Sequence, residues 1–254
     1  MVDTHCHLDY YPNPALAAEQ AAAAGITVIF VTNTPAAFQR AYPHVRSLRN
    51  IRLAIGLHPL HAAESRGEWN RFRELVQQTS YVGEVGLDFS ALGVETKLVQ
   101  IAAFRFVLES IRKLPRFVTI HSRGAETAVL DSLEEMIRHP VVFHWYTGNL
   151  SNIDRALSSG HYFSINLSML ASAKGRRIIG RLPPNRVLLE SDGPFARVSG
   201  RSAVPKDVSQ VIVGLGKMWN VSILDAQKQI STNLWDLLKR LQMGGPAFVS
   251  PSKA

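Results

Sequence analysis

Residues 187–194, VLLESDGP, decide the fold. Val187 to Leu189 are long enough for one short strand, which runs straight into two carboxylates, Glu190 and Asp192, and a Gly193-Pro194 turn. The other end of the chain mirrors this: Val2 to His5 is a short strand whose end carries Asp3, His5 and His7. Ionisable groups crowded at the ends of apolar strands are costly unless those ends share a polar mouth. In an open parallel sheet the first and last strands would lie roughly tens of ångströms apart, whereas barrel closure sets strand one beside strand eight.

Working outward from these two ends, apolar runs recur at Ile26 to Val31, Ile51 to Gly56, Tyr81 to Val85, Phe117 to His121, Val141 to Phe143 and Tyr162 to Ile165. With the terminal runs they make eight. Helical spacing fills Pro14 to Gly25, Glu68 to Gln78, Glu95 to Lys113, Ala125 to Arg138, Ile153 to Ser159 and Ala171 to Arg181. Strands apolar on both faces suit a parallel sheet covered by helices. The expected fold class is α/β, a single (β/α)8 TIM barrel with a metal site at the C-terminal mouth of its strands. Beyond Val204 come three more helical patterns, QVIVGLGKMW, ILDAQKQI and STNLWDLLKRL. The barrel domain is placed at 1–242 and a flexible C-terminal tail at 243–254.

The 254 residues match one such barrel, which takes about 250 residues. With 46% hydrophobic and 19% charged residues the chain is neither disordered nor collagen-like. A single cysteine, Cys6, excludes a disulfide-stapled fold, and no apolar stretch follows a basic start to mark a secretory leader or a membrane span. A cytoplasmic setting is expected. Twenty arginines and eight lysines against 20 acidic residues leave a net charge of +8, with bases outnumbering acids eight to three from Gly193 onward. Guanidinium groups match phosphate oxygens bidentately, so this balance reads either as a surface for a polyanion such as DNA or as a plain solvated surface.

His5 and His7, two apart on one strand, project to the same side and can reach one ion. His121 ends RFVTIH and His144 ends PVVFH. A lone histidine there is ordinarily satisfied by a backbone carbonyl, but four of them beside acids read as ligands. Glu84 lies inside the apolar VGEVG, where an uncompensated carboxylate would cost roughly several kcal/mol, and Asp192 faces the same mouth. His5, His7, Glu84, His121, His144 and Asp192 are too many ligands for one tetrahedral ion and suit two divalent ions sharing a carboxylate. Imidazoles favour Zn²⁺, Mn²⁺, Co²⁺ or Ni²⁺, while availability can load Mg²⁺.

In order, MVDTHCHLD, IGLHP, VGEVGLDF, VTIHSRG, VFHWYTGN and LLESDGPF form a series that resembles the motifs of the TatD-type metal-dependent deoxyribonucleases, across nearly the whole chain through STNLWDLL. The resemblance implies a TIM barrel, two divalent ions and hydrolysis of DNA phosphodiesters. By matching position it implies that His5, His7, Glu84 and Asp192 hold one ion and that Glu84, His121 and His144 hold the other, with Glu84 bridging. The chain departs from the family pattern at Leu60, where histidine is usual, at Trp145-Tyr146, and over Arg201 to Pro205. These departures suggest a specialised branch, working with protein partners in a nucleic-acid-processing or defence assembly.

Asp192 and Glu84 are the expected catalytic carboxylates, with Asp192 taking up the proton of the attacking water. His58 and Asp88 would orient substrate or water, and Ser122, Arg123, Thr147 and Gly148 would offer hydroxyl, guanidinium and backbone N–H donors to phosphate oxygens. Trp145 and Tyr146 either stack on unpaired bases, which suits single-stranded ends, or pack below the mouth. Two other functions compete: a metal-dependent amidohydrolase acting on a small molecule, and a subunit that binds nucleic acid or a protein without catalysis. The intact ligand set argues against the second. No lysine lies in the six motifs, which argues against an amidohydrolase whose ions are bridged by a carbamylated lysine.

Overall fold

The computed structural model describes residues 1–242. Eight parallel strands follow one another around a TIM barrel in chain order: β1 (Val2–Cys6), β2 (Thr27–Val31), β3 (Ile51–Leu57), β4 (Tyr81–Gly86), β5 (Phe117–His121), β6 (Val142–His144), β7 (Tyr162–Ile165) and β8 (Val187–Leu189). Every strand lies within one residue of its sequence-expected bounds. Along β2 the side chains alternate: Val28 and Phe30 pack with the outer helices, while Ile29 and Val31 join Ala54, Tyr81, Phe117 and Leu188 inside the barrel.

Parallel ladders link β1 through β8 in sequence. The β8–β1 seam closes differently. At the mouth, Asp192 N–H donates to the His5 carbonyl at 2.9 Å and His7 N–H to the Gly193 carbonyl at 2.8 Å, while the Thr4 hydroxyl donates to the Leu189 carbonyl at 2.7 Å. These bonds replace a continuous ladder, so the barrel is nearly closed, and a cavity of about 680 Å³ remains between Val2, Leu188 and the last helix.

The helices are α1 (Pro14–Ala23), α2 (Pro35–Val45), α3 (Trp69–Leu75), α4 (Lys97–Ile111), α5 (Glu126–Met136), α6 (Leu150–Ser158), α7 (Leu167–Ala171), α8 (Ala173–Arg181), α9 (Val208–Trp219) and α10 (Ile223–Arg240). Sequence spacing missed α2, because Pro43 reads as a breaker. Two residues before the helix end it forfeits little, and Thr34 caps the start by accepting from Ala37 N–H. The helix expected over Ala171 to Arg181 is α8, capped by Ser172 through Gly175 N–H, while the short α7 before it was not expected. The last two helical patterns merge into α10, whose Leu234, Leu237 and Leu238, with Leu241 just past its end, pack with the barrel-filling residues and close its floor. A short hairpin, β9 (Arg197–Val198) and β10 (Arg201–Ser202), follows β8. The expected tail, 243–254, lies outside the described residues. Among those described, no helix is long and apolar enough to cross a membrane.

Candidate metal centre

The strand ends bring the six sequence-predicted ligands together. β1 delivers His5 and, just past its end, His7, β4 Glu84, β5 His121, β6 His144, and the turn after β8 Asp192; all are buried except His121, which is partly exposed. Glu84 sits at the centre. Its Oε1 lies 2.6 Å from His121 Nδ1, 2.8 Å from His144 Nε2 and 3.5 Å from His58 Nε2, and its Oε2 lies 3.2 Å from His7 Nε2 and 3.6 Å from His5 Nε2. Asp192 Oδ1 is 3.7 Å from His5 Nε2 and 3.8 Å from His7 Nε2. Three overlapping groups have ligand atoms within 4.8 Å of one another: His5, His7 and Glu84; His5, His144 and Asp192; and His58, Glu84 and His121.

The far nitrogens decide which imidazoles present a lone pair. His121 lies between two carboxylates, its Nε2–H donating to Asp88 Oδ2 at 2.8 Å and its Nδ1 turned toward Glu84. His5 Nδ1 pairs with the Thr119 hydroxyl at 2.7 Å, leaving Nε2 for the centre. His58 is arranged in the opposite sense. Its Nδ1 accepts from Leu60 N–H at 3.2 Å, so the proton lies on Nε2, which faces Glu84 as a donor. His58 and Asp88 therefore orient the Glu84 carboxylate and the His121 ring. His5 Nε2 and His7 Nε2 approach to 3.3 Å, and His144 Nε2 and His121 Nδ1 to 3.4 Å. Ring nitrogens so close around one carboxylate must have protons or cations between them, and this mixed imidazole and carboxylate set fits divalent ions.

Electrostatics agree. Burial alone would raise the Glu84 carboxyl, but His58, His144 and His121 outweigh it and hold the group well below the usual carboxylate range. His121 shows the converse: burial disfavours its charge, yet Glu84 and Asp88 lift it to about 9. Burial, with Glu190, Glu84 and Asp3 nearby, pushes Asp192 well above its ordinary value.

Two further carboxylates fix the mouth, a role the sequence reading did not give them. Asp3 accepts from His5 N–H at 3.2 Å and from Ser191 N–H at 2.9 Å. Glu190 accepts from Trp145 N–H at 3.0 Å, from the Asn166 amide at 2.8 Å and from the Ser164 hydroxyl. Trp145 and Asp192 both hold left-handed backbone, at φ 35° and 46°, a strain these bonds offset beside the site. Gly86 meets a steric demand: at φ 136° a Cβ would run into the His121 carbonyl.

The remaining predicted residues are distributed around the rim. Ser122 is buried beside His121, and Thr147 and Gly148 are half-buried. Arg123 is exposed and forms no ion pair with Glu126, whose carboxylate accepts from Gly124 N–H instead. The proposed base-stacking pair does not stand out from the core. Tyr146 is buried with its hydroxyl donating to the Asn149 carbonyl at 2.8 Å, and Trp145 packs on Ala196, Val198 and Ala203. The packing alternative describes both, with Trp145 left partly exposed.

The model of the family described as TatD related DNase matches residues 2–239. An uncharacterized metal-dependent hydrolase of Methanocaldococcus jannaschii is 23% identical over 247 residues, covering 94% of this chain and 97% of that protein. A 3'-5' ssDNA/RNA exonuclease TatD of Erwinia billingiae is 29% identical over 185 residues, covering 68% of this chain and 69% of its own. Among solved structures, the TatD homologue YjjV of Escherichia coli superposes with a TM-score of 0.83 at 22% identity, covering 93% of this chain and 97% of that one.

Proposed function

The chain belongs to the family of TatD related DNases and is a metal-dependent hydrolase, and on that footing we propose that it cleaves DNA phosphodiester bonds with two divalent ions at the barrel mouth. Glu84 carries the reading, since its two oxygens face different sets of imidazoles, His7 and His5 from Oε2, His121 and His144 from Oε1. His5, His7, Glu84 and Asp192 would hold one ion, and Glu84, His121 and His144 the other. Bound there, the ions would polarise phosphoryl oxygens and acidify a water.

The side chains supply the rest. Asp192, raised by burial, takes up the proton of the attacking water. Asp88 holds the His121 ring with Nδ1 inward, and His58 steadies Glu84. Arg123, Ser122 and the Thr147-Gly148 backbone face phosphate oxygens at the rim. The named activity of the Erwinia relative supports single-stranded ends as substrate. The unpaired Cys6 is compatible with a cytoplasmic setting, and the loop departures support work inside a nucleic-acid-processing or defence assembly.

The test is cleavage of end-labelled single strands and duplexes, DNA and RNA, with Mg²⁺, Mn²⁺ or Zn²⁺ and after chelation. Metal-dependent cutting that is faster on single-stranded DNA is the expected result. A protein that takes up metal but leaves every strand intact contradicts the proposal.

A further inference from the structure

We infer that the rings of Tyr10 and Phe195 form a subsite that stacks one unpaired nucleobase beside the metal centre. The inference rests on the nuclease reading and deepens it. Tyr10 closes the short turn Leu8–Tyr10 that directly follows His7, and Phe195 follows the Asp192-Gly193-Pro194 turn. Both rings therefore ride on the connections that carry candidate ligands. They stand 5.0 Å apart, centroid to centroid, inclined at 57°, and each sets an edge against the His7 imidazole, Phe195 at 4.9 Å and Tyr10 at 5.8 Å.

Their exposure is what needs explaining. Tyr10 is 45% and Phe195 49% accessible, although both touch a fully buried ligand candidate. Tyr10 is not loose, because the Asn33 amide donates to its hydroxyl at 3.0 Å. Two half-exposed aromatic rings at the lip of a catalytic mouth suit a flat, apolar-faced partner, and an unpaired base is such a group. A phosphate held beside His7 leaves the adjoining base within one nucleotide's reach of the Phe195 ring. Bases inside a duplex have both faces stacked and cannot enter, so the subsite selects frayed or single-stranded ends. Every base has a π-face, so the selection is tolerant of sequence.

A purely structural role is the competing account: the rings would only seat His7. Placing 2-aminopurine at successive positions of a phosphorothioate single strand, in Mg²⁺, reads stacking without cleavage. The wild type should quench the probe at one position, Phe195→Ala should abolish that quenching, and Phe195→Trp should restore it. In cleavage assays, removing the base at that position should raise the wild-type KM about tenfold, and Phe195→Ala should add nothing on the abasic strand. A probe that stays bright at every position overturns the subsite. So does a Phe195→Ala penalty equal on intact and abasic strands, which would place the ring's role at His7. Quenching without cutting under any metal leaves the subsite standing and removes the nuclease reading alone.

Discussion

Glu190 uses one oxygen for Trp145 N–H and the Asn166 amide and the other for the Ser164 hydroxyl, and that second oxygen lies 3.8 Å from His144 Nδ1. His144 Nδ1 is buried with no hydrogen-bond partner of its own. Glu190→Gln isolates this contact: the amide oxygen can keep Trp145 and Asn166, Ser164 can turn to accept, and the oxygen near His144 Nδ1 becomes an amide nitrogen that can only donate. The variant should fold, shift the His144 proton to Nε2 in ¹⁵N spectra, and bind divalent ions about 10–100-fold more weakly. His161, at the start of β7, supplies a test far from the mouth. Burial lowers it to about 4, its Nδ1 accepts from Val141 N–H, and the unfolded chain takes up that proton first as pH falls. Stability should be unaffected by this group above its unfolded value near 6.5 and decline below it until pH 4, by about 3 kcal/mol in all. Urea unfolding of wild type against His161→Phe should show that difference shrinking on acidification; a constant offset from pH 7 to 4 contradicts it. The six candidate ligand positions were legible because an ionisable side chain ending an apolar strand violates burial cost. Asp3, Glu190, Tyr10 and Phe195 were not read as functional, because their roles depend on partners such as Ser191, Ser164 or His7 that only the fold brings close.

At the scale of elements, α10 closes the barrel floor opposite the chemistry. Leu237 is fully buried there among residues from the strands. Leu237→Ala should cost about 2–5 kcal/mol in urea unfolding, while cleavage per folded molecule stays near wild type because the mouth is untouched. Loss of turnover in the folded fraction would show that floor and mouth are coupled. All eight strands were readable because a parallel strand buried on both faces is a continuous apolar run. The helices were less so. Pro43 hid α2, the five-residue α7 is too short to show a helical period, and the polar SerThrAsn run at 231–233 hid the continuity of α10, where Asn233 donates to the Pro184 and Val187 carbonyls.

At the scale of the whole molecule, the net charge of +8 is not all available to a polyanion. Arg201 is held bidentately by Asp207 and Arg155 by Glu134, whereas exposed Arg123 stands at the mouth. Arg123→Ala should weaken single-strand binding and reduce the slope of log affinity against log salt by about one; an unchanged slope places the phosphate elsewhere. The barrel matters because it gathers five other candidate ligands, from His5 to Asp192, around the Glu84 carboxylate. The most direct measurement counts bound Mn²⁺ or Zn²⁺ per chain by equilibrium dialysis in wild type and in Glu84→Gln, with strand cleavage followed on the same samples. The account predicts two ions per wild-type chain, and a folded Glu84→Gln that binds fewer and no longer cuts. A Glu84→Gln variant that keeps two ions and near-normal turnover would contradict it.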